Sequence, residues 1–205
     1  MRIIIVNRSK EATDAFAWHF RNLPAVEMHL GGFEGMAGFD CIATAGNSFG
    51  LMDAGIDLAM LRFFGRQLME VIQARILSDY CGEQPVGTSF ILETGHAKFP
   101  LVAHTPTMRA PMNISRTDNV YLATWATLLA VEAHNRNLEK EKIEVLVLPG
   151  FGTGSGGVEL IEAATQMRLA IEYFLNRPER ITPQLAQARY EAIHYGGKFG
   201  FEHPR

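Results

Sequence analysis

Residues 143–148 read IEVLVL, an almost unbroken apolar run, and the chain then passes through PGFGTGSGG before apolar periodicity resumes at Val158. A short run that is apolar at successive positions is a strand covered on both sides, which points to a parallel sheet with helices above and below it. The nine residues 149–157 hold five glycines, so the strand leads into bare backbone at its carboxyl end. That is where open α/β sheets bind their ligands.

Strand, loop and helix recur along the rest of the chain. Residues 2–7, rich in isoleucine, form a buried strand, and Ser9 caps a helix whose apolar positions Ala12, Phe16, Ala17 and Phe20 follow helical spacing. Further strands are expected at residues 26–30, 40–45, 86–93 and 99–105. A helix after Gly55 carries Leu58, Leu61, Phe64 and Leu68 on one face, Thr117 or Asp118 caps a long helix reaching Asn137, and a last long helix covers residues 158–175. The expected architecture is three-layer α/β/α around a central mixed, largely parallel sheet. One domain spans residues 1–205, with 176–205 as a C-terminal extension that holds Pro178, Pro183, a short helix and an edge-like tail, YGGKFGFEHPR.

A second loop of the same kind comes earlier. Residues 45–57 read AGNSFGLMDAGID and join a strand to a helix. Gly50 and Gly55 permit positive φ and close approach, and the first amides of the following helix lack partners within it, so they attract anions. Asn47 brings a donor and an acceptor, the equipment for a pair of sugar hydroxyls. The later loop, Gly150 to Gly156, offers consecutive amides as a phosphate-cradling nest. It has no Walker lysine, and its alternating glycines do not match the dinucleotide fingerprint. Either loop alone reads equally well as a tight strand-to-helix connection. Two of them at equivalent strand ends point to one cleft.

The net charge of −3 offers no broad attraction to nucleic acid, so phosphate must be held locally. Two cysteines, Cys41 and Cys81, make no disulfide or zinc framework and read as buried free thiols. His19, His29, His96, His134, His194 and His203 lack ligand spacing, so no metal and no cofactor are expected. No run of about 18 apolar residues occurs and the N-terminus is no signal peptide, so a cytoplasmic protein without membrane partners is expected.

The string AGNSFGLMDAGIDLAM resembles the first ligand loop of macro domains, with Asn47, Gly55, Ile56, Asp57 and Ala59 in register. PGFGTGSGGV resembles their second, phosphate-binding loop, and is especially similar to the branch containing DNA ADP-ribosyl-glycohydrolase antitoxins. Gly50-Leu51-Met52 and His104-Thr105-Pro106-Thr107 are similar to that branch too. The resemblance implies the macro-domain fold and ADP-ribose, or an ADP-ribosylated substrate, as the partner. It implies contacts from Asn47, Ser48, Gly50, Leu51, Met52, Gly55 and Ile56 in the first loop. In the second it implies contacts from Gly150, Phe151, Gly152, Thr153, Gly154, Ser155 and Gly156, with Thr107 beside them. Asn47 would meet the distal ribose, and Phe151 would pack on a sugar or base.

Three departures qualify the likeness. Phe33 stands where the family usually has its adenine-binding aspartate, with Glu34 as a stand-in. Ala54 stands where one hydrolase branch has a nucleophilic lysine, which removes that mechanism. Met52-Asp53-Ala54 replaces the usual glycine run and brings in a carboxylate.

Asn47, Asp53 and Asp57 are therefore the candidate catalytic residues. Asp53 or Asp57 would position or activate a water at the distal ribose C1, where a carboxylate also stabilises an oxocarbenium ion. Asp57 reads first as a helix-start carboxylate that favours the dipole and caps free amides. His104 reads as structural, and Arg109 as a surface arginine near a possible phosphate. Three functions fit: hydrolysis of an ADP-ribosyl adduct, reading of ADP-ribosylated partners without turnover, and binding of an NAD-derived or other phosphorylated nucleotide metabolite.

Overall fold

The computed structural model describes residues 1–193. The edge-like tail, with His203, and His194 before it lie outside the described residues. The described elements run β1 (Arg2–Asn7), α1 (Lys10–Phe20), β2 (Val26–Leu30), β3 (Cys41–Ala43), β4 (Gly46–Asn47), α2 (Gly55–Phe64) and α3 (Arg66–Tyr80). They continue with β5 (Phe90–Glu93), β6 (Leu101–His104), β7 (Pro106–Met108), α4 (Asn119–Arg136), β8 (Val145–Pro149), α5 (Leu160–Leu175) and α6 (Pro183–Glu191).

Six strands form one sheet in the order β2-β1-β8-β3-β6-β5, and only β5 runs antiparallel to its neighbour. The apolar strand β8 lies between β1 and β3. Its alternation divides the molecule into two cores. Leu146 and Leu148 join Ile3 and Ile5 of β1 against Phe16 of α1, Leu128 of α4 and Met167 of α5. Val147 joins Ile4 and Val6 on the opposite face against Met60 of α2 and Ile72 of α3. Each such side chain contributes roughly 1.5–3 kcal/mol on burial, so both faces of the sheet are held by helices in the expected three-layer α/β/α arrangement.

The structure trims several expected elements for local reasons. The strand expected over 86–93 begins only at Phe90, because Thr88 turns back to donate its N–H and hydroxyl to the Pro85 carbonyl at 3.3 and 2.7 Å. The single helix expected after Gly55 is two. Gly65, at φ 90 and ψ 166, ends α2 and opens α3, so the face predicted from Leu58, Leu61, Phe64 and Leu68 does not run through. Met60 and then Leu68, Ile72 and Ile76 fill the core instead. Of the two thiols, only Cys41 is buried. Cys81 is exposed at the end of α3, where its φ of 53 closes the helix with a left-handed residue.

Two short strands foreseen by no pattern position the site. β4 pairs with β7 in parallel, Gly46 opposite Pro106 and Asn47 opposite Met108. This ladder carries the start of the first loop beyond the main sheet. No helix among the described residues is long and apolar enough to cross a membrane.

Candidate functional site

The two glycine loops, the turn after β2 and the carboxyl end of β1 surround one cleft of about 750 Å³. That size suits a nucleotide-sized ligand.

In the first loop Asn47 spends most of its amide on the loop itself. Its Oδ1 accepts the N–H groups of Phe49 and Leu51 at 3.1 and 3.2 Å, and its Nδ2 donates to the Leu51 carbonyl at 2.9 Å. The expected donor and acceptor for a ligand therefore reduce to one remaining Nδ2 hydrogen, because both oxygen lone pairs are occupied. Gly50, at φ 64, turns toward α3, where a methyl group would lie 2.8 Å from Ile72 Cγ2. Ser48 and Met52 are buried, and neither they nor Gly50 line the cleft. The contacts expected of these three are corrected to a packing role: they fix the loop from behind. Leu51, Asp53, Gly55 and Ile56 do line the cleft. Ala54 caps α2 with no side-chain acceptor, so the amides of the first turn open toward it.

The second loop folds on itself through Val158 N–H to the Gly152 carbonyl and Gly157 N–H to the Gly154 carbonyl, both at 3.0 Å. Gly156 gives its carbonyl to Ile114 N–H at 2.8 Å. Among the described residues, the N–H groups of Gly154, Ser155 and Gly156 donate to no protein acceptor, and all three residues line the cleft with Gly150, Gly152 and Thr153. Phe151 departs from expectation. It is 0% exposed and packed in the core below β8, so its ring stacks on no sugar or base. Gly152 beside it is buried as well, and the loop turns outward only at the exposed Gly154 and Ser155.

Thr107 lines the cleft from β7 and donates its hydroxyl to the Gly46 carbonyl at 3.3 Å. Phe33 is buried under the turn after β2 and stacks on Phe64 at 5.9 Å between ring centres. Glu34 reaches Arg8 at 2.5 Å across the cleft mouth. Arg109 lies outside the cleft, paired with Glu83. Sequence reasoning missed Asn7 and Arg8 at the end of β1 and Arg62 and Phe63 of α2, all on the cleft wall. The strand-end rule that found the loops applies to β1 as well and would have found the first two.

Two titratable groups lie deep. Asp57 is 4% exposed and accepts the Ala45 N–H at 2.9 Å. Burial pushes its carboxyl up to about 7, against the Ala45 hydrogen bond and with a smaller push from Asp53. His104 is 0% exposed on β6, and burial drives its imidazole down to about 3, so it is neutral at physiological pH.

A doubly covered, mostly parallel sheet with two glycine loops over its strand ends defines an α/β domain whose cleft presents backbone amides suited to an anion. The sequence pattern of the macro domain matches residues 43–167, and the chain belongs to the macro-domain family, a family that binds ADP-ribose. An uncharacterized protein of Aquifex aeolicus (strain VF5) is 32% identical over 136 residues, which cover 66% of this chain and 74% of that one. Among solved structures, the fold is similar to a mutant of the Oceanobacillus iheyensis macrodomain with ADPR (TM-score 0.60, 17% identity, 86% of this chain and 80% of that one). It is also similar to the macrodomain of Mycobacterium tuberculosis DarG (TM-score 0.56, 20% identity, 71% and 88%). The macrodomain of Thermus aquaticus DarG gives the same TM-score of 0.56 at 20% identity, over 69% and 87%.

Proposed function

We propose that the cleft binds ADP-ribose or a close derivative and hydrolyses an ADP-ribosyl adduct. One observation carries this reading: the free amides at Gly154, Ser155 and Gly156 and the uncapped first turn of α2 open into the same cleft. Two anion sites built from backbone suit a diphosphate and need no lysine. Gly152 and Thr153 line the second site and Ile56 the first. The remaining Nδ2 hydrogen of Asn47 holds the distal ribose, and Thr107 lies beside it. Glu34, held by Arg8, takes the base end.

Asp53 is exposed on the cleft wall and positions the attacking water. As a base it takes the proton as the water oxygen bonds to the distal ribose C1 and the bond from C1 to the adduct breaks. Asp57, at the base of the same cleft, contributes through the loop it holds by the Ala45 N–H. The setting is the cytoplasm, in keeping with free thiols in place of a disulfide framework.

A second reading, a non-catalytic reader, is favoured by the low exposure of Asp57, which lines the cleft at only 4% and leaves Asp53 as the one exposed carboxylate of the first loop. Turnover of ADP-ribosylated protein and DNA, measured beside calorimetric binding of ADP-ribose, separates the two. Binding with release of ADP-ribose supports the hydrolase; binding alone supports the reader; neither sinks both.

A further inference from the structure

A methyl group on Gly46 would lie 2.8 Å from His104 Nε2, 3.2 Å from Asp57 Oδ2 and 3.2 Å from Thr44 Oγ1. Polar atoms from β6, from α2 and from the end of β3 thus converge beside a residue with no side chain. Two of them, Asp57 Oδ2 and His104 Nε2, are buried and have no hydrogen-bond partner among the described residues. The two distances hold those atoms within about 6 Å of each other, the span of two hydrogen bonds through one water. A buried polar atom left unmet is destabilising, and one partner placed between the two would satisfy both.

We propose that one structural water beside Gly46 is shared by His104 Nε2, Asp57 Oδ2 and Thr44 Oγ1, and that His104 acts through it as a positioning residue for Asp57 and the first loop. The consequence for ligand binding rests on the reading of the cleft given above; the water network itself does not.

Each of the three protein atoms finds its partner in either state of Asp57. His104 Nδ1 lies 2.7 Å from Gln84 Oε1, and Gln84 Nε2 donates to Thr88 Oγ1 at 3.1 Å and to the His104 carbonyl at 3.4 Å. With the amide so oriented, Nδ1 carries the imidazole hydrogen and Nε2 is an acceptor. Thr44 Oγ1 accepts the Thr105 N–H at 3.0 Å, which frees its own hydrogen for the water. The water then donates to His104 Nε2 and accepts from Thr44. It donates its second hydrogen to an ionised Asp57 or accepts one from the protonated acid. Three partners are the usual complement of a buried water.

The output runs through Asp57 Oδ1, which holds the Ala45 N–H at 2.9 Å, and through Gln84, whose N–H donates to the Ser48 carbonyl at 2.8 Å. Both ends of the network grip the first loop, at the residue before Gly46 and at the residue after Asn47. The charged group facing Asp57 is Asp53. His104 faces Gln84 and the Phe90 ring of β5, at 5.3 Å.

The test is 15N NMR of His104 across about pH 5 to 9 in the full chain, as wild type and as Asp57→Asn. Expected is an Nδ1-protonated tautomer whose Nε2 shift steps as Asp57 ionises, with the step lost in the variant. An Nε2-protonated tautomer, a flat Nε2 shift through the ionisation of Asp57, or a step that survives in Asp57→Asn would overturn the network. On the functional side, His104→Gln should move the midpoint of the pH dependence of ADP-ribose affinity by about one pH unit. A merely structural histidine would scale affinity equally at every pH and leave the midpoint in place. An intact NMR signature with no ADP-ribose binding would sink the ligand reading and leave the network standing.

Discussion

Asp57, in the first turn of α2, reaches back to the N–H of Ala45, twelve residues earlier, at 2.9 Å. It serves the loop rather than its own helix. Held there, its buried carboxyl titrates near 7 instead of its ordinary 3.8, which makes its protonation a property of the folded state.

The sign of the pH effect follows. Between the two values the unfolded chain has lost the Asp57 proton and the folded chain keeps it, so stability falls as pH rises from about 4 to 7 and then levels. Asp57→Asn, which preserves an acceptor for Ala45, should remove this dependence. The stability gap should grow in favour of the variant, on the order of 4 kcal/mol between pH 4 and pH 8. Denaturant titrations at both pH values check it, and parallel curves for the two proteins would contradict it.

Asp53→Asn should leave the melting temperature unchanged, since the side chain is exposed and no packing depends on it. Release of ADP-ribose from a modified substrate should fall by about 10²–10⁴-fold, the usual contribution of a positioned base, with ADP-ribose affinity retained. Undiminished turnover would move the water-positioning role away from this residue.

Phe151→Ala should act on stability and not on recognition. The ring is wholly buried, so its loss should cost about 3–5 kcal/mol. Whatever folded protein remains should bind with near wild-type affinity. Selective loss of binding at full stability would restore the stacking role that the structure removes.

Gly152 tests the second loop from inside. It sits at φ 75, and a methyl group there would lie 2.7 Å from Val120 Cγ2 and 2.9 Å from Val158 Cγ2. Gly152→Ala should destabilise by about 1–3 kcal/mol through overpacking, with further strain from the left-handed backbone. Thermal melting measures it, and an unchanged melting temperature would show that the loop relaxes.

The fold was largely legible because its signals are local and strong. The apolar runs at β1 and β8 and the helical spacing in α1 reflect burial on both faces, which a single sequence displays directly. The loops are legible as a pair: either alone reads equally well as a tight connection, and two at equivalent strand ends point to one cleft. What escaped depends on contacts distant in the chain. The β4 and β7 pairing joins residues 46 and 106, and no local pattern announces it. The inward turn of Phe151 and the self-contained hydrogen bonds of Asn47 are side-chain choices made after the loop is folded. Gly65 separates α2 from α3, although the apolar spacing runs continuously through it.

Gly154 gives the most direct test of the central claim. It lines the cleft, its N–H donates to no acceptor among the described residues, and a methyl group there would meet no described atom within 4 Å. Gly154→Glu therefore adds a carboxylate where the ligand's phosphate should sit without disturbing the packing. Calorimetric titration of wild type and variant with ADP-ribose, beside their melting curves, should show binding in the wild type, none in the variant and equal stability. Equal binding in both, or none in the wild type, would contradict the assignment of the two-loop cleft as an ADP-ribose site.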